Sequence, residues 1–93
     1  DKTLKKNIKT LSNSVQVLKQ LNPVSFEWKN TGTQSYGIIA QELEKVAPEL
    51  VVNEGEYKSV AYGNLSGYLI ETIKDQQKQI DELKELVHKL LEK

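Results

Sequence analysis

The sequence predicts an α+β fold: a small mixed head of short helices and β-hairpins, followed by a long C-terminal helix bearing a coiled-coil seam. Three patterns carry that prediction. Residues 24–29 alternate apolar and polar with the period of a strand. Turn-rich segments break the chain into short pieces as far as residue 62, and beyond Gly67 neither proline nor glycine interrupts apolar residues spaced by threes and fours.

At 93 residues, 38% hydrophobic and 28% charged, the chain supports one domain, with residues 1–62 as the head and residues 63–93 as the coiled-coil helix. A domain this small leaves much of its unfolded surface uncovered. A helix projecting from it therefore needs partner chains over its apolar stripe.

The first ten residues are lysine-rich, with Leu4, Ile8 and Leu11 as sparse apolar anchors. Ser12 or Asn13 offers a cap for a helix carrying Val15, Val17, Leu18 and Leu21. Asn22-Pro23 ends that helix, because proline lacks the amide donor and drives the preceding residue out of helical geometry. The run Val24-Ser25-Phe26-Glu27-Trp28-Lys29 then places Val24, Phe26 and Trp28 on one buried strand face. Residues 30–35 have turn composition, and residues 36–40 supply a return strand, making a hairpin.

Residues 41–46 have helical spacing with Leu43, Val46 and Ala47 to bury, and Pro48 stops them. Val51-Val52, a turn over residues 53–56 and the run Tyr57-Lys58-Ser59-Val60 form a second hairpin. In the long helix, Leu69, Gln76, Leu83 and Leu90 fall at heptad position d, and Ile73, Ile80 and Val87 at a. Branched residues at a with leucine at d favour two strands, whereas Ile70 and Leu91 at e and Leu86 at g widen the apolar face, so the heptads leave two versus three strands open. Gln76 is a polar layer that weakens the seam while fixing its register.

Composition excludes several functions. The 13 lysines balance 13 acids, arginine is absent and the net charge is zero, which is no nucleic-acid footprint. A basic-zipper reading of Lys2, Lys5, Lys6 and Lys9 fails because a basic region and its zipper share one continuous helix, and here a mixed head separates them. There is no cysteine and hence no thiolate metal site, and nothing asks for a metal or cofactor. No apolar run approaches a membrane span.

Most chemistry-bearing side chains have ordinary readings. His88, the only histidine, lies at an outward heptad position with no second ligand near it. Phe26 and Trp28 read as core, Glu42, Glu44 and Glu49 as a solvated face, and Asn64-Leu65-Ser66 as a chance sequon near a helix start. Lysine is the residue type of interest at the N-terminus. It serves as a general base where burial or a neighbouring cation lowers its proton affinity, and Lys5 and Lys6 are adjacent cations.

Four blocks together carry a resemblance: Asp1-Lys2-Thr3-Leu4-Lys5-Lys6-Asn7-Ile8; Pro23-Val24-Ser25-Phe26-Glu27-Trp28; Gly37-Ile38-Ile39-Ala40-Gln41-Glu42-Leu43-Glu44 with Pro48-Glu49-Leu50-Val51; and Tyr57-Lys58-Ser59-Val60-Ala61-Tyr62. In order and spacing the chain resembles the C-terminal intramolecular chaperone domain of phage endosialidases, tail fibres, tail spikes and neck appendages, found also in myelin regulatory factor.

The resemblance implies a homotrimer that promotes folding of an upstream fibre or spike and is then released by serine–lysine autoproteolysis. The family motif reads Ser-Asp-x-Arg-x-Lys-x-Asn-Ile, cut between serine and aspartate. Asp1 matches the aspartate, Lys5 the lysine and Asn7-Ile8 the close of the motif, while Thr3 stands at the arginine position. Lys5 is thus implied as general base for a serine preceding Asp1, and this fragment, lacking that serine, is implied to be inactive. Asn7, Gln41 and Glu42 also match family blocks, as residues that either orient the cleavage site or pack. The implied setting is the host cytoplasm during virion assembly, with the released fragment not retained in the virion. The competing expectation is a structural trimerisation or adaptor module that never cleaves.

Overall fold

The computed structural model describes residues 1–92. A short 3₁₀ turn at Lys2–Leu4 precedes helix α1 (Ser14–Leu18). Strands β1 (Val24–Glu27) and β2 (Gln34–Gly37) form one antiparallel hairpin, and helix α2 (Ala40–Val46) leads through a 3₁₀ turn at Pro48–Leu50 into a second, β3 (Val51–Glu54) and β4 (Tyr57–Val60). Helix α3 (Tyr62–Leu91) completes the chain. The α+β expectation holds, and the two sheets share no strand.

Local chemistry explains where the boundaries moved. Helix α1 is shorter than its apolar pattern, because the amides of Gln20 and Leu21 bond back to the carbonyls of Val17 and Leu18, tightening the chain well before Pro23. Asn13 occupies the N-cap in the left-handed region (φ 62) and makes no side-chain cap bond, so the expected capping does not occur. The first hairpin pairs Val24 with Gly37, and the Trp28–Thr33 backbone bond extends it.

Trp28 corrects an expectation: it is 53% exposed, while Val24 and Phe26 are half-buried. A lone two-stranded sheet has no second layer beyond β1, and Trp28 packs edge-on against Phe26 at 5.1 Å between centroids.

The second hairpin turns at Gly55-Glu56, where Gly55 (φ 62) supplies the positive φ that a two-residue hairpin turn needs at its first central position. The Ala61 amide bonds to the Leu50 carbonyl at 2.8 Å, and the Ala61 carbonyl accepts from Leu65. The ladder thereby delivers the chain directly into α3.

The core is small. Leu43, Ala47, Leu50 and Leu65 are buried together, with Val17, Leu18, Leu21, Ile38, Val51, Val60 and Tyr68 packed around them. The root of α3 thus belongs to the head, and the rest projects. Its 30 residues span about 45 Å, and the radius of gyration is 18.4 Å, against about 12 Å for a compact chain of this length.

Heptad phase separates two faces of α3. Leu65 and Thr72, at g, are buried against the head, and Tyr68, at c, is half-buried. The a and d residues Leu69, Ile73, Gln76, Ile80, Leu83, Val87 and Leu90 all remain exposed. The head covers one flank of the helix and leaves the seam clear.

Candidate functional site

The N-terminal motif folds upon itself. The Asp1 carboxylate accepts a bond from the Thr3 amide at 2.9 Å, its carbonyl accepts from Leu4 at 3.2 Å, and the Lys5 amide bonds to Lys2. Asp1 therefore caps the 3₁₀ turn. Lys5 follows in extended conformation (φ −120, ψ 149), and Asn7 turns the chain at φ 55, a region asparagine tolerates better than most residues.

This arm is open to solvent: residues 1–13 are all exposed. Leu4 (87% exposed) and Ile8 do not anchor it. Leu11 does approach α3, near enough that a Cβ on Gly67 would touch it. Among the described residues the Lys5 ammonium makes no hydrogen bond or ion pair.

Gln41 and Glu42 lie in the first turn of α2, both exposed, and Glu42 sits favourably near the positive end of the helix. Gln41 lines a cleft of about 380 Å³ between the hairpins, with Phe26, Trp28, Lys58 and Tyr62. Among the described residues no hydrogen bond or ion pair joins either residue to Asp1, Lys5 or Asn7.

Two acids expected on a solvated face have partners instead. Glu44 pairs with Lys58, tying α2 to β4, and Glu49 accepts a bond from the Tyr68 hydroxyl at 3.0 Å. Burial raises the Tyr68 pKa above 10.0, and the bond to Glu49 and its negative charge push it the same way. Their partners are distant in sequence, so no local spacing signals them.

His88 is exposed and lies 3.0 Å from Glu92 on the same helix. Asn64 is exposed within the first turn of α3. No group of three or more metal-ligating side chains occurs among the described residues, and no helix there is long and apolar enough to cross a membrane.

A family model described as chaperone of endosialidase matches residues 1–52, from the N-terminal arm into the second hairpin. The chain is also similar to the long tail fiber protein Gp37 of Salmonella phage S16, 31% identical over 102 residues and covering 97% of this chain. It spans only 14% of that relative's length.

Proposed function

The chain belongs to the chaperone-of-endosialidase family, and on that basis we propose that it serves the folding and assembly of a phage tail fibre within the same precursor. The family match over residues 1–52 carries this reading, and the tail-fibre relative supports it. In the finer form of the proposal, three copies associate through the exposed a and d residues of α3, bringing three fibre ends together. A trimeric β fibre is rich in non-local pairings between chains, and tethering its ends raises their effective concentration before those pairings form. The open seam supports this step.

Release follows by cleavage before Asp1, with Lys5 taking the proton of a preceding serine hydroxyl. Lys5 is solvent-exposed in the single chain, so cutting waits until assembly covers it, which couples release to completed folding. Cleavage then makes assembly irreversible and leaves the fibre kinetically trapped. The setting proposed is the host cytoplasm, with the fragment absent from the finished virion.

The test is expression of a longer precursor with Lys5 intact or as Lys5→Ala, followed by mass spectrometry of the products. Cleavage before Asp1 lost in the variant agrees with the proposal. A native precursor that assembles and stays whole points to a non-cleaving trimerisation module.

A further inference from the structure

An apolar groove of about 360 Å³ runs beside the root of α3, lined chiefly by Leu18, Leu21, Ile38, Tyr62, Leu65 and Leu69. It is continuous with the seam. Leu69 and Tyr62 share the d phase, and Leu65 lies at g, so the groove opens on the g flank of the helix.

The opposite flank carries a matching projection. Ile70, at e, is 60% exposed, on the side of α3 that the head leaves bare. In a parallel coil the g position of one helix meets the e position of the following heptad on its neighbour. The e position following Leu65 is Ile70.

We infer that the groove is the seat of Ile70 from a second copy of this chain. Each copy offers a groove on one flank and an isoleucine on the other. Such a head-to-tail contact closes when the copies form a ring. Rings of this kind cement the heads to one another as well as the helices. Half of each seat is built by Leu18 at the end of α1, by Leu21 beyond it and by Gly37-Ile38 at the end of the β1–β2 hairpin, so a head must be folded before it can receive its neighbour. The inference rests on the parallel association of α3 proposed above.

The absence of cysteine makes a clean test available in the 93-residue chain. Leu21→Cys and Ile70→Cys chains are mixed by unfolding and refolding, then treated with a short bismaleimide. Leu83→Cys chains, whose cysteines meet at d in a parallel coil, are treated alongside. The expected result is cross-linking of Leu83→Cys chains and a Leu21–Ile70 cross-link between chains in the mixture. Cross-linking at Leu83 with none between positions 21 and 70 overturns the seat while leaving the coil standing. No cross-link at either place overturns both. Capture of the Leu21 thiol by a Leu4→Cys chain in preference to Ile70→Cys assigns the groove to the N-terminal arm and also overturns the inference. Independently, Ile70→Ser weakens association by about tenfold or more per chain if the side chain is buried by its neighbour, and leaves it unchanged if it is not.

Discussion

The Tyr62 hydroxyl accepts a hydrogen bond from the Ile38 amide at 3.2 Å, joining the first turn of α3 to the end of the β1–β2 hairpin. Gly37 makes room for it, because a Cβ there would collide with that hydroxyl. Three residues thus fix how the hairpin meets the long helix, and this joint also forms part of the groove wall.

Gly37→Ala is expected to cost about 1–3 kcal/mol through overpacking, and Tyr62→Phe about 1 kcal/mol through the lost acceptor. Together they cost less than the sum, since the phenylalanine leaves space for the alanine methyl. Denaturant unfolding of the three variants measures that coupling, and strict additivity would contradict the geometry.

Tyr68 gives stability a definite alkaline limb. Its folded pKa lies above the unfolded value of 10.0, so the native state keeps a proton that the unfolded chain has lost as pH rises past that value. The contribution is complete below pH 10.0 and is lost as pH climbs through the folded pKa. Tyr68→Phe should be less stable near neutrality by about 1 kcal/mol and should show a shallower decline in alkali. Thermal melts from pH 8 to 11, with about one-unit steps, read both effects.

The Thr72 hydroxyl is buried beside the head without a hydrogen-bond partner among the described residues. Thr72→Val keeps the shape and removes the unsatisfied group, a gain of about 1 kcal/mol in chemical unfolding. Loss of stability would mean that the hydroxyl has a partner in solution.

Leu43 and Trp28 should separate sharply by calorimetry. Leu43 is fully buried, and Leu43→Ala should cost about 2–5 kcal/mol. Trp28→Ala, at an exposed position held mainly by Phe26, should cost about 1 kcal/mol.

Gln76→Leu replaces the polar d layer with an apolar one. If α3 associates as proposed, thermal stability should rise while sedimentation shows a broader spread of oligomers. A single oligomer at higher stability would remove the register role of Gln76.

Local period and turn composition were enough to reveal both hairpins, α2 with Leu43 and Ala47 inward, and the continuous α3, although the return strand expected at residues 36–40 lies at Gln34–Gly37 and Ala40 already begins α2. What escaped was set by neighbours distant in sequence. Trp28 continues the strand alternation yet lies beyond the reach of any second layer, so its exposure depends on how few strands pair. Glu44 finds Lys58 only through the packing of α2 beside β4, and Glu49 finds Tyr68 only where the Pro48–Leu50 turn meets α3. At the candidate site, it was the resemblance of residues 1–8 to a family motif that singled out Lys5, and only the fold shows that, among the described residues, no hydrogen bond or ion pair joins it to Gln41 or Glu42.

Because the two hairpins share no strand, each of the four strands has a free edge. Isolated hairpins are marginal in water, so Val51 and Val60 packed on the core hold the second hairpin, and the Ile38–Tyr62 joint ties the first to α3. In native-state hydrogen exchange, the strand amides should open at lower free energy than those of α2 or the root of α3. The hairpins would then be the parts of the head most readily reshaped by whatever chain comes to lie against them.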